Sequence, residues 1–206
     1  MRQLHKKPCP EDLKTFVDRE HPQDWPDIHR SSGFPRLYED CLIQLMEEQD
    51  GLSGYTEKPL SQGSSLHVDH FRKRSLFRSL DNIFGWNNLI ADEHNRHYGA
   101  DHKDKVITSV DEYKLLIDPV AQDPHHFFTY MENGLIVPRA ELDSDDRKIA
   151  EFTIHAFNLD HETLRRKRED AIRLVRLYRQ AGLEEHDIKE SLKDYGFVSA
   201  IEFALE

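Results

Sequence analysis

The chain contains little cysteine and no long apolar run. Its two cysteines, Cys9 and Cys41, lie far apart and form no CxxC pair. A disulfide framework is therefore excluded, and a cysteine-ligated zinc site is not expected. No stretch of 18 apolar residues occurs, and the first residues lack the apolar core of a signal sequence. We therefore expect a soluble, cytoplasmic protein with no membrane partner.

The chain also contains fewer basic residues than acidic ones. The 206 residues include 28 lysines and arginines against 39 aspartates and glutamates, which gives a formal net charge of -11. This balance argues against nonspecific coating of nucleic acid, because a phosphate binder must present cations to the backbone. A local basic groove on an acidic body stays open. Apolar residues are spread along the whole chain, so we expect a folded protein.

The pattern of residues divides the chain into three parts. Residues 1–35 are rich in proline and polar side chains, which indicates a loosely structured N-terminal arm. Residues 36–140 contain the motifs described below, with a helix before them and a hairpin after them. Residues 141–206 have helical periodicity and form a C-terminal helical region. The fold class is therefore predicted to be α+β, with a mainly helical domain around a small β-containing core.

Local signals predict the elements near the motifs. An apolar stripe at helical spacing follows Pro35, and residues 50–65 are rich in turn formers. The alternation in LHVDHF, residues 66–71, predicts a short strand. We predict a helix from about Leu89, capped by Asp92, that weakens at Gly99. Two apolar runs around Asn133-Gly134 predict a hairpin, and helices are predicted from residue 144 onward, two of them short.

Metal-ligand chemistry and positive charge coincide in SLHVDHFRKRSLFRS, residues 65–79. Strand alternation places His67 and Asp69 on one face and His70 on the other. A second group of candidate ligands follows on the predicted helix, and a strand and a helix can enclose one divalent ion from two sides. This second group consists of His94, Asn95, His97, Asp101 and His102. Oxygen and nitrogen donors suit Mg²⁺, Mn²⁺, Ni²⁺ or Zn²⁺.

The basic run beside this constellation is interpreted as a phosphate clamp for nucleic acid. It consists of Arg72, Lys73, Arg74 and Arg78. The alternative is an ordinary solvated face, with the neighbouring phenylalanines buried beneath it. Phe84 and Trp86 are expected in the core rather than in a base-stacking platform. We also assign His67 to the core side of its strand.

The order of HVDHF, WNNL and a His/Asn-rich segment ending in HKDK resembles the signature of the HNH nucleases, which have a ββα-metal core. The wider set EEQDGLSGYTEKPL, FGWNNL and TYMENGLIVP is similar to the Septu-type HNH nucleases, small anti-phage defence proteins encoded beside an ATPase and sometimes with a retron. The resemblance covers roughly residues 36–140. It implies a metal-dependent endonuclease that hydrolyses phosphodiester bonds in DNA or RNA. It also implies an ATPase subunit as partner, and a retron reverse transcriptase with its single-stranded DNA.

The resemblance also implies a role for individual residues. Asp69 matches the aspartate that binds the metal, and His70 matches the histidine that acts as general base. Asn88 matches the middle asparagine, which orients the base. The helix ligand is assigned to His97, with Asp101 and His94 as alternatives. One divalent ion, Mg²⁺ or Mn²⁺, is the expected cofactor.

The chain departs from the family at the CxxC pairs that form a zinc knuckle in many relatives. Ser53 and Thr56 stand near the first pair, and Glu93 and Tyr98 near the second. A structural zinc is therefore not expected, and side-chain packing must brace the site. This departure motivates an alternative, a catalytically degenerate HNH module that serves as a binding or adaptor subunit. A nucleic-acid-binding regulator without chemistry is a third reading.

Overall fold

A computed structural model describes residues 1–60 and 65–206, so residues 61–64 of the predicted turn-rich segment lie outside the described residues. The described chain is a mixed α+β fold, as predicted. Its α-helices are α1 (Glu11–Glu20), α2 (Leu37–Glu48), α3 (Leu80–Ile83), α4 (Ala100–Val106), α5 (Ser144–Phe157), α6 (Glu162–Gln180), α7 (Glu185–Leu192) and α8 (Val198–Leu205). Its strands are β1 (Leu66–His70), β2 (Leu89–Glu93), β3 (Phe128–Tyr130) and β4 (Ile136–Pro138).

The strands pair in two small antiparallel sheets. In the first sheet, β1 pairs with β2 so that Leu66 lies opposite Glu93 and His70 opposite Leu89. In the second, β3 and β4 flank the predicted Asn-Gly turn, where Gly134 has a φ of 76°. A positive φ at this position is what a tight hairpin turn requires and what glycine allows. The predicted strand over 66–71 and the predicted hairpin are confirmed, as are the helix after Pro35 and the C-terminal helices.

The predicted helix from Leu89 is wrong. Leu89–Glu93 forms strand β2, all five residues of which are buried, and the helix of this region begins only at Ala100. A strand covered on both faces shows no alternation of apolar and polar residues, so its sequence lacks the usual strand signal. Asp92 does cap a helix, but it belongs to strand β2 and is not the residue directly before the helix. Its Oδ2 accepts a hydrogen bond of 2.8 Å from the backbone N–H of Ala100.

The N-terminal segment differs from the loose arm that its composition predicts. Helix α1 follows Pro10 and buries Leu13 and Phe16. A short 3₁₀ helix, Trp25–His29, has Pro26 in its first turn and buries Trp25. Proline is compatible with these positions because the first N–H groups of a helix have no partner within it. The prolines here therefore begin helices instead of preventing them.

Two hydrophobic clusters join the three predicted parts of the chain. One cluster packs Phe16 and Trp25 of the N-terminal segment against α2, β1 and β2. The other packs Tyr55 and Ile90 against Phe157 and further residues of the C-terminal helices. The sheet that carries the candidate site is thus supported from both ends of the chain. In the described residues, no helix is long and apolar enough to cross a membrane.

Candidate functional site

Strand β1 forms the floor of a cleft of about 760 Å³. The other walls come from the N-terminal segment, the loop after β1, the residues after β2, and α4. Its charged and imidazole side chains are Asp24, His67, Asp69, His70, Lys73, Arg74, Arg78, His94, Asp101 and Asp104. Carboxylates, imidazoles and cations from distant parts of the sequence therefore meet on one surface.

Asp69 lies at the base of the cleft in a buried ion pair. Its Oδ2 accepts hydrogen bonds from the Tyr55 hydroxyl at 2.5 Å and from Lys103 Nζ at 3.0 Å. Lys103 is fully buried, and its Nζ also donates to the carbonyl oxygens of His70 at 2.8 Å and Phe71 at 3.0 Å. Lys103 thereby ties α4 to the end of β1 and fixes the carboxylate that the sequence predicts as a metal ligand.

The ionisation of this pair follows from competition between burial and charge. Burial alone would raise the pKa of Asp69, but the Lys103 ammonium and the Tyr55 hydrogen bond hold it below its ordinary value. Burial alone would lower the pKa of Lys103, but the carboxylates of Asp69 and Asp104 raise it. Both groups are therefore charged, and Oδ2 of Asp69 already has two partners.

His70 faces the opposite side of β1, as strand alternation predicts. Its ring lies edge-on to Trp25, with centroids 5.1 Å apart, and its Nε2 is 2.9 Å from the carbonyl oxygen of Ile83. A carbonyl oxygen only accepts hydrogen bonds, so Nε2 carries the proton and Nδ1 is the basic nitrogen. Burial lowers the pKa of His70 to about 4, which keeps the imidazole neutral at physiological pH.

Asn88 holds the loop that follows β1. Its Oδ1 accepts from the N–H of Arg72 at 2.8 Å, and its Nδ2 donates to the carbonyl oxygens of Asn82 at 2.6 Å and Arg72 at 3.2 Å. Three backbone groups on two segments are thereby fixed by one amide. Because Ile83 follows Asn82, this bracing also positions the carbonyl that holds His70.

The four predicted phosphate-binding residues fall in different environments. Lys73 donates to the carbonyl oxygens of Asp104 and Ile107 at the end of α4, and Arg74 is paired with Asp24. Arg78 is exposed at the rim of the cleft. Arg72 is exposed outside the cleft, in an adjacent depression that also contains Asn88. Three of the four thus line the cleft, and two of those three already have partners.

A second cluster of metal-ligand side chains lies at the other end of β1. One nitrogen each of His67 and His94 and one oxygen of Asp101 all lie within 4.8 Å of one another. The two imidazole rings are stacked, with centroids 3.9 Å apart and planes at 7°. His67 is therefore a cleft residue and not the core-facing residue that we expect from the sequence.

The helix ligand assigned from the resemblance occupies another position. The ring of His97 packs near that of His161, with centroids 5.7 Å apart, and it does not line the cleft. His94 and Asp101, the two alternatives, do line it. The structure thus brings the alternatives close to β1 and leaves His97 outside.

Comparison with known proteins does not assign this site. No protein-family model matches the chain. No curated protein sequence matches it either. The site is therefore interpreted from its own residues.

Polar side chains connect the loop before β1 to strand β2, at the positions where the sequence departs from the CxxC pairs. Ser53 Oγ donates to Asp92 Oδ1 at 2.7 Å, next to the oxygen that caps α4. Lys58 Nζ contacts both carboxylate oxygens of Glu93 at 2.6 and 2.9 Å, and the Tyr98 hydroxyl donates to Glu93 at 3.1 Å. These contacts connect the loop before β1 to β2 and α4.

Sequence reasoning missed three residues that organise the cleft. Lys103 and Tyr55 hold Asp69, and Trp25 covers the ring of His70. The signal for Trp25 is weak, because it lies with Ile28 in the otherwise polar, proline-rich segment. Lys103 lies in the HKDK segment, but nothing there indicates burial, because a lysine among charged residues normally lies on an exposed helix face.

Proposed function

We propose that this protein is a metal-dependent endonuclease of the HNH type that hydrolyses phosphodiester bonds in nucleic acid. The proposal is supported by the order of the motifs and by their arrangement, in which the antiparallel pair β1 and β2 precedes α4. It is supported further by a cleft that holds imidazoles, carboxylates and the basic side chains of Lys73, Arg74 and Arg78.

The state of His70 carries the proposal. A general base needs an unprotonated nitrogen, a fixed ring and access to the reacting water. Its Nε2 is fixed by the Ile83 carbonyl, which leaves Nδ1 as the nitrogen that can accept a proton. No hydrogen bond from a described residue reaches Nδ1, and the ring lines the cleft. His70 thus takes a proton from water, and Asn88 keeps the supporting backbone in place.

Binding of phosphate follows from the charges at the rim. Lys73, Arg74 and Arg78 line the cleft, and their positive charges would attract the phosphates of a bound strand. A divalent ion in this cleft would stabilise negative charge on the leaving oxygen. The cleft also contains four carboxylates, whose negative charges repel phosphates. A bound cation would neutralise part of this charge and so reduce the repulsion.

We propose, on the resemblance alone, that the nuclease acts in an anti-phage system. Its partners there are an ATPase subunit, and in retron-containing systems a reverse transcriptase with its single-stranded DNA. An experiment on this point compares cleavage by the nuclease alone with cleavage in the presence of the ATPase encoded beside it. A change in rate or substrate range supports the partnership, whereas equal activity and no co-elution contradict it.

The nuclease proposal is tested with plasmid DNA, single-stranded DNA and total tRNA, each with Mg²⁺, Mn²⁺ or EDTA. His70→Gln is the informative variant, since an amide retains an N–H for a backbone carbonyl but cannot act as a base. His126→Ala is the matched control, because that imidazole is 80% exposed and lies outside the cleft. We expect metal-dependent cleavage by the wild type and the control, and a loss of about 100-fold or more in His70→Gln. Cleavage that survives in His70→Gln would contradict the assignment.

A second candidate function is a degenerate module that binds nucleic acid or a partner without cutting. The observation that favours it is the pairing of Asp69, since the carboxylate assigned to the metal already has Lys103 and Tyr55 as partners. If this second function is correct, no metal supports cleavage, and binding of nucleic acid or of the partner survives both EDTA and the His70→Gln substitution. The same assay separates the two candidates.

A further inference from the structure

His67, His94 and Asp101 converge from three separate segments. His67 is on β1, His94 directly follows β2, and Asp101 is in the first turn of α4. The backbone N–H of His94 bonds to the carbonyl oxygen of Ser65, which continues the β1–β2 pairing and holds the two imidazoles side by side. The arrangement is therefore built by the fold and is not a chance meeting of flexible side chains.

The spacing suits a metal ion. His94 Nδ1 and Asp101 Oδ1 are 3.3 Å apart. Two donors that each lie about 2.0 Å from a tetrahedral ion are separated by about 3.3 Å. His94 is half-exposed, with 51% of its side chain accessible, and Asp101 is 28% accessible. An ion can therefore reach these donors from the cleft, and the side chain of His94 has room to adjust.

The hydrogen bond between His94 and Asp101 does not explain the environment of His67, the third residue of the cluster. His67 Nδ1 is buried and has no hydrogen-bond partner among the described residues. A buried polar atom without a partner costs about 1–3 kcal/mol. Coordination through this nitrogen would supply the missing partner. Because an imidazole nitrogen binds an ion in the plane of its ring, one of the two nearly parallel rings must tilt to share the ion, and His94 is exposed enough to do so.

We infer that His67, His94 and Asp101 bind one divalent transition-metal ion, such as Mn²⁺, Co²⁺ or Zn²⁺. Two imidazole nitrogens and one carboxylate suit these ions better than Mg²⁺, which prefers oxygen donors and keeps several waters. The ligand on β1 is therefore His67, whereas Asp69 stays with Lys103. The catalytic meaning of this site rests on the proposed nuclease function, but binding of the ion can be measured without it.

Metal binding is measured on the whole chain after removal of metals with a chelator. Calorimetry with Mn²⁺, Zn²⁺ and Mg²⁺ gives stoichiometry and Kd, and the visible absorption of added Co²⁺ reports nitrogen and oxygen coordination. His67→Ala, His94→Ala and Asp101→Asn test the three ligands. His97→Ala is the matched control, because it removes a nearby imidazole that lies outside the cleft. Asp69→Asn tests the ligand assigned from the resemblance.

We expect one ion per chain, bound at least about 10-fold more tightly as Mn²⁺ or Zn²⁺ than as Mg²⁺. Each of the three substitutions should weaken binding about 100-fold or more, since even changes behind the ligands cost 10–100-fold. His97→Ala should leave Kd unchanged. Because His94 is exposed, His94→Ala decides the result if His67→Ala fails to fold.

The inference is overturned if Mg²⁺ binds as tightly as Mn²⁺, or if His97→Ala or Asp69→Asn abolishes binding while His94→Ala does not. Cleavage that persists in all three ligand variants while ion binding is lost would overturn the catalytic role of this site but leave the nuclease proposal standing. Binding with the expected pattern but without cleavage would support the site and contradict the nuclease.

Discussion

Replacing the buried Lys103 with methionine is expected to destabilise the protein strongly. The substitution removes an ammonium that has no solvent exposure and that contacts Asp69 Oδ2 at 3.0 Å. It leaves the Asp69 carboxylate buried with only the Tyr55 hydroxyl as a partner, and it frees two backbone carbonyls at the end of β1. Removing one member of a buried ion pair typically costs about 3–5 kcal/mol.

This loss is a large part of the total stability, which is about 5–15 kcal/mol for folded proteins. For a chain of this length, 1 kcal/mol lowers Tm by about 2–4 °C, so Lys103→Met should lower Tm by about 6–20 °C. The free energy of unfolding is measured by urea denaturation, followed by far-ultraviolet circular dichroism in the presence of EDTA. Lys105→Met is the matched control, because that lysine is exposed on the same helix and should cost less than about 1 kcal/mol.

A double-mutant cycle separates the ion pair from the rest of the effect. Asp69→Asn in the Lys103→Met background removes the unpaired buried charge, so the double variant should recover about 1–3 kcal/mol relative to Lys103→Met. Strictly additive effects of the two substitutions would refute the reasoning, since they would show that the two charges do not interact. Equal losses in Lys103→Met and Lys105→Met would refute it as well.

Three further predictions concern the cleft wall, a constrained glycine and a buried thiol. Asp24→Asn should release Arg74 and remove a negative charge, so single-stranded DNA should bind about 2–5-fold more tightly at low salt; unchanged anisotropy titrations would contradict this. Gly99→Ala should cost about 1–3 kcal/mol, because Gly99 has a φ of 74° and an added Cβ would lie 2.6 Å from the carboxylate that caps α4; a urea midpoint equal to that of the wild type would be the adverse result. Burial raises the pKa of Cys41 to about 12, so at pH 8 only about one thiol in ten thousand is ionised. A thiol reagent should therefore spare this residue in the native protein and reach it as pH rises toward 12 or on unfolding, and rapid native labelling at pH 8 would contradict the burial.

The sequence predicts best where a local pattern decides the structure. The alternation in LHVDHF marks β1, and the Asn133-Gly134 pair marks the β3–β4 hairpin, because each signal acts within a few residues. The same reasoning fails for Leu89–Glu93, which is predicted to be helical. This strand is buried on both faces, so its apolar pattern also suits a helix. Its identity depends on pairing with β1, which is a tertiary contact.

The candidate site shows the same division between local and tertiary information. Asp69, His70 and Asn88 stand out in the sequence, and the structure places them around the end of β1. The partners that set their chemistry do not stand out, because the pairing of Asp69 with Lys103 depends on how α4 docks. The sequence likewise predicts a core position for His67, because strand alternation gives the face on which a residue lies but not what covers that face.

The ring of Tyr55 stacks on that of Phe157, with centroids 4.5 Å apart, and this contact has a consequence for synthesis of the chain. A ribosome-bound chain that ends before Phe157 already contains every residue of the cleft. It lacks the ring on which Tyr55 stacks, and Tyr55 is one of the two side chains that fix Asp69. The cleft is therefore completed only after Phe157 has been synthesised, and a chain terminated before it would carry all the cleft residues without this support.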